Sequence, residues 1–159
     1  MSYKDVESSV SYFLAYITTT IAVSTGANAN LIVPFASTTY NNGIDFSTST
    51  YKYMAPTKGL YHFNASMVIA NDSSASSDDT MQWGIATSNT TVSSAILNDN
   101  WENISVSTTN TWPTSLTMVL QLNANETVWV VYGNNNTTQR FIGGSSGCTF
   151  SGHLICPFK

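Results

Sequence analysis

The residues that could do chemistry are few, and each set is short of a partner. Gly143-Gly144-Ser145-Ser146-Gly147 matches G-x-S-x-G, the pattern of a nucleophile elbow. That elbow needs a strand before the serine, a helix after it, and then an acid and a histidine further along the chain. Strand-type sequence follows here, and no Asp or Glu occurs after Glu126, so the stretch reads as a flexible glycine loop. The only histidines are His62 and His153, and the only cysteines Cys148 and Cys156. On one strand, residues an odd number apart face opposite sides, so His153 shares a face with neither cysteine, and there is no C-x-x-C. The histidines therefore read as surface or interface groups. Asp72, Asp78 and Asp79 share one stretch, and Asp99 and Glu102 another. Calcium takes six to eight oxygens, and no such ligand set can be matched. No cofactor is expected, and calcium is the sole candidate ion. Tyr40, Trp101 and Trp112 fall near predicted loops, where an exposed ring offers contact area at low entropic cost. They are candidate partner-binding residues, the bland reading being that they plug the ends of the fold.

The elements that must position these groups are strands. Tyr61, Phe63, Ala65, Met67 and Ile69 alternate with His62, Asn64 and Ser66, and Leu116, Met118, Leu120 and Leu122 alternate in the same way. Period two marks a half-buried strand. Tyr, Ile, Val and Thr over residues 11–25 favour one further strand. Asn42-Gly43 is a hairpin signal. Turns recur along the whole chain, and no segment reads as an amphipathic helix. The sum is an all-β sandwich of about ten strands. Its expected core contains Phe13, Ile17, Tyr61, Phe63, Met67, Trp83, Leu116, Met118, Leu120, Val128, Phe150 and Leu154. If the last strand is continuous, Cys148 and Cys156 stand about 26 Å apart, too far for a disulfide. On that strand they share a face with Phe150 and Leu154, so both are expected to be buried free thiols.

Length and charge bound the function. A chain of 159 residues is one domain. Charged residues make up 9% and the net charge is −4, with the five Lys and Arg scattered. Nucleic-acid binding needs them clustered, so it is set aside. No apolar run approaches the roughly 20 residues of a membrane helix, and the first residues lack the apolar core of a signal peptide.

Four stretches carry a family resemblance. Ala55-Pro-Thr-Lys-Gly59-Leu-Tyr61-His-Phe63 resembles the signature of the complement component 1q globular head, a branch of the tumour necrosis factor-like jelly rolls. Val33-Pro-Phe35 with Asn41-Asn-Gly43-Ile-Asp-Phe46 is similar to that family's strands before the signature. Leu120-Gln-Leu122-Asn-Ala-Asn-Glu126-Thr-Val-Trp-Val130 is similar to its late hairpin, and Thr149-Phe150-Ser151-Gly152-His-Leu154 to its last strand. The resemblance implies a jelly-roll sandwich, a homotrimer and a non-enzymatic head that binds proteins or carbohydrates. It also implies that one sheet turns its outer face to the threefold axis, which puts Leu60, His62, Val119 and Ile155 at the trimer interface. A polar, weakly charged trimer made without a secretion signal suits the surface of a virus or phage particle, as a capsid decoration or fibre head. Its partners there are capsid or fibre proteins, or a host surface protein or glycan. The alternative is a secreted, extracellular recognition module. Residues 11–159 form the jelly-roll domain. Residues 1–10, with Tyr3 and Val6, form an arm for attachment.

Overall fold

A computed structural model describes residues 10–23, 31–71, 80–88, 100–103, 111–134 and 139–158. Among these residues there is no helix, as expected where Ser, Thr and Asn compete with helical hydrogen bonds and β-branched and aromatic residues fill the apolar positions. The strands in chain order are Tyr12–Tyr16 (β1), Ile21–Val23 (β2), Leu31–Ile32 (β3), Ser37–Asn42 (β4), Phe46–Ser47 (β5), Lys52–Met54 (β6) and Gly59–Asn71 (β7). Thr80–Thr87 (β8), Asn100–Asn103 (β9), Thr111–Leu122 (β10), Thr127–Asn134 (β11), Gln139–Phe141 (β12) and Thr149–Pro157 (β13) follow.

They form two antiparallel sheets. One has seven strands in the order β2-β12-β7-β13-β1-β4, with β10 on the other side of β7. The second has six, in the order β5-β6-β11-β8-β9, with β3 also on β11. The long β7 organises the first sheet. β10 pairs with it from Gly59 to Ala70, while β13 and then β12 share its opposite side. Between β12 and β13 the chain leaves the sheet through the glycine loop, 143–147. At the gap, Ile142 N–H donates to Val68 O, and the Cys148 thiol takes up both polar groups of Val68, N–H at 3.2 Å and C=O at 3.3 Å.

The core lies between the sheets. Tyr61, Phe63, Ala65, Met67 and Ile69 are buried from one side; Tyr53, Trp83, Ile85, Val128, Val130 and Tyr132 from the other. Phe13 sits at the centre, its ring stacked on Phe46 at 4.8 Å and Tyr53 at 5.0 Å and edge-on to Phe150 at 5.0 Å. Such contacts add to the area each ring buries.

Several expectations change. The described residues hold thirteen strands, not about ten, because the 11–25 segment breaks into β1 and β2 and because β9 replaces an expected loop. Asn42-Gly43 turns the chain, with φ of 84° at Gly43 and 59° at Ile44, yet no hairpin forms: β4 pairs with β1 and β5 with β6, so the turn passes from one sheet to the other. Met118, Leu120 and Leu154 are only partly buried. Among the described residues β10 pairs with β7 alone, as an edge strand. Cys148 is buried but Cys156 is exposed. A register shift between Leu154 and Cys156 leaves Ile155 unpaired and sets Cys156 opposite the outward Leu60. One extra residue reverses the facing of everything after it.

Candidate functional site

Because β7 alternates, whatever it does not bury it must show. The outward positions of β10, β7, β13, β1 and β4 line up in rows across the first sheet. One row runs Val119, His62, His153, Tyr12, Asn42, and the next Thr117, Asn64, Ser151, Leu14, Tyr40. Gln121, Leu60 and Cys156 form a shorter row above them. No residue in these five strands is Asp, Glu, Lys or Arg. The face is therefore free of fixed charge, in a chain whose net charge is −4.

Its apolar groups are open to solvent. Val119 is 53% exposed and Ile155 48%. Tyr12 and Tyr40 meet edge to face at 5.5 Å, beside an open groove of about 460 Å³ bordered by Val10, Tyr12, Tyr40, Ser151 and His153. The row of Thr117, Asn64 and Ser151 is tied down by polar bonds: Asn64 Nδ2 donates to Thr117 Oγ1 at 2.8 Å, and Ser151 Oγ to the Asn64 backbone carbonyl at 3.4 Å. In the row beside it the His62 and His153 rings lie 5.0 Å apart, tilted by 41°. Burial, then the neighbouring His62, lowers the pKa of His153 below the ordinary histidine value.

Beneath one end of the face lies a polar chain that closes the sandwich. Ser11 Oγ donates to Asp45 Oδ2 at 2.5 Å and shares a 2.5 Å hydrogen bond with the Tyr53 hydroxyl. The Tyr61 hydroxyl donates to Thr57 O at 2.7 Å. Desolvation raises the hydroxyl pKa of Tyr53 and of Tyr61.

Of the residues expected at an interface, Leu60, His62 and Val119 share this face, and Ile155 stands in the bulge at its rim. The three aromatics expected on loops are all in strands. Tyr40 is on β4 and belongs to the face; Trp101 is on β9, opposite Gln82, and Trp112 on β10, opposite Ile69. Tyr3 and Val6 lie outside the described residues, as do Asp72, Asp78, Asp79 and Asp99. Among the described residues no three His, Cys, Asp or Glu come together to hold a metal. Ser145 is exposed on the glycine loop, and that loop runs into β13 where an elbow needs a helix. Tyr12 and Cys156 were missed as members of the face. The parity of Tyr12 against Phe13 could have signalled the first; the bulge concealed the second.

Two sheets in this order, with one uncharged outer face, define a jelly-roll domain of the complement 1q and tumour necrosis factor type. The family model for the C1q domain matches residues 13–155, and the chain belongs to that family. No curated protein matches it. Among solved structures, the globular domain of zebrafish complement 1qA protein is similar at 15% identity, covering 94% of this chain and 98% of that one, with a TM-score of 0.61. Eiger TNF from S. frugiperda is similar at 12% identity, covering 95% and 94%, with a TM-score of 0.64. Murine APRIL is similar at 10%, covering 92% and 99%, with a TM-score of 0.65. At such identities the likeness is one of fold.

Proposed function

We propose that this chain is a non-enzymatic recognition domain that works as a homotrimer, with the outer face of the seven-stranded sheet as the contact between copies. The observation that carries this reading is the uncharged face itself. Val119 and Ile155 stand open on it, beside Leu60 and the Tyr12–Tyr40 pair. A face without charge that leaves apolar and aromatic groups open to water is cheaper to pack against a copy of itself than a charged one. Membership of the C1q domain family supports a recognition module of trimeric habit.

The ligand is a protein or a glycan, taken by the loops at the poles of the sandwich, since the sheet face is used for assembly. Leu154 N–H donates to Ser11 O, so the start of β1 lies beside the later part of β13, at one pole. Residues 1–10 are the attachment arm in this reading, and the loops of the other pole face the ligand. Membership of the C1q domain family, whose domains are typically extracellular, supports an extracellular recognition domain over a particle-surface protein.

Light scattering tests the assembly. The purified chain at micromolar concentration is expected at three times its monomer mass. Leu60→Asp with Val119→Asp is expected to give a monomer whose circular dichroism is unchanged, because both side chains point away from the core. A monomeric wild-type chain overturns the proposal.

A further inference from the structure

The β7–β13 ladder sets His62 directly opposite His153, with their rings 5.0 Å apart. Among the described residues, nothing of opposite charge faces them. From β1 the groups on their side are the Tyr12 and Tyr16 hydroxyls, and from β4 that of Tyr40. β13 adds Cys156, and β10 presents Val119 between Thr117 and Gln121. The charged groups nearby in the topology stand off the face. Asp45 is bonded to Ser11. Lys58 and Glu126 are on the connections at the ends of β7 and β10, and Arg140 is on β12 beside Ala70, at the far end of β7.

We infer that this pair of imidazoles is an acid-sensitive release for self-association, holding copies together while neutral and separating them when both are protonated. It rests on the homotrimer proposed above and names how that contact is regulated. Two neutral imidazoles can be covered by another copy at small cost. Two imidazolium groups at this spacing repel each other, and covering them adds the desolvation of charges that no carboxylate of the described residues offsets. The assembled form therefore binds protons less readily than the separated chains. Linkage gives the direction: as pH falls through the pKa of His153 in the separated chain, which lies below the ordinary histidine value, proton uptake pulls the equilibrium toward separation. Burial and His62 already hold His153 below that value in the single chain, the same sense that assembly enlarges.

The test is the association constant of the full chain by sedimentation velocity from pH 8 to pH 5 at fixed ionic strength. Wild type is compared with His153→Gln and with His62→Gln/His153→Gln. His153 is exposed, so its replacement leaves the core untouched. Wild-type association is expected to weaken by about tenfold per pH unit for each proton taken up on separation, starting below about pH 6.5. The double variant is expected to remain assembled at pH 5, with near-ultraviolet circular dichroism intact in both proteins. A wild-type trimer unchanged at pH 5 overturns the switch and leaves the trimer standing. So does a double variant that separates in parallel with wild type. A monomer already at pH 8 removes the homotrimer, and the switch with it.

Discussion

Gly152 shows how a single position is fixed by its neighbours. It pairs with Phe13 on one side and Phe63 on the other. A Cβ there would stand 2.5 Å from Phe63 Cδ1 and 2.9 Å from Phe13 Cε1. A glycine inside a strand signals such a close approach, but the sequence does not say to what. Gly152→Ala forces two packed rings aside and is expected to cost about 1–3 kcal/mol in reversible denaturation; an unchanged midpoint would show the rings free to move. Tyr61 was legible as an alternating apolar position, but Tyr53 and the polar chain that reaches it from Asp45 through Ser11 were not, since its members lie far apart in sequence. Burial raises the pKa of both tyrosine hydroxyls. The folded state thus holds those protons more tightly than the unfolded chain. The stability this gives is full below the unfolded tyrosine value of about 10 and is lost as pH rises through it. In an alkaline absorbance titration Tyr53 and Tyr61 are expected to stay silent until the chain unfolds. Ionisation of every tyrosine in a still-folded protein would contradict that burial.

Strands were legible where alternation is long. β7 and β10 were found from period two alone; that Leu60, His62 and Val119 lie together on one face followed from that parity only with the family resemblance, which put the two strands in one sheet. Parity fails wherever the backbone adds a residue, and no local sequence signal announces the bulge at Ile155. It also cannot tell an edge strand from a central one, which is why Met118 and Leu120 on β10 are less buried than their spacing implied. Short polar strands were missed for the opposite reason. β9 is Asn-Trp-Glu-Asn and β4 contains Thr-Tyr-Asn-Asn, and both owe their form to the neighbours they pair with. The bulge has a chemical consequence. Cys148 is enclosed, with its thiol between the polar groups of Val68, and burial raises its pKa, which lowers its reactivity further. Cys156 is exposed. In the Leu60→Asp/Val119→Asp chain, where no second copy covers the face, an aromatic disulfide reagent is expected to titrate one thiol at once and the second only in denaturant. Two rapid thiols would place Cys148 outside the core, and none would mean that β13 runs on without its bulge.

At the scale of the molecule, what distinguishes this domain is where charge is missing. Charged residues are 9% of the chain, and five adjacent strands of one sheet contain none. A contact built on that face gains from burial of apolar area, which salt does not screen, and has no ion pairs to lose. The net charge of −4 per chain comes from residues outside those five strands, so repulsion between copies is of the long-range kind that salt screens, with a Debye length of about 10 Å at 0.1 M salt. At pH 8 the association constant is therefore expected to be nearly flat between low and high sodium chloride, or to rise slightly as that repulsion is screened. At pH 5 the balance differs. The imidazolium pairs repel at short range in a partly covered site, where salt reaches them only once the copies begin to part. Added salt is then expected to recover part of the lost association, but not to restore the value at pH 8. Sedimentation across both variables separates this contact from one made by salt bridges. A contact that loosens steeply with salt at pH 8 would mean that charged groups outside this face hold the copies together, and the uncharged sheet would no longer be the interface.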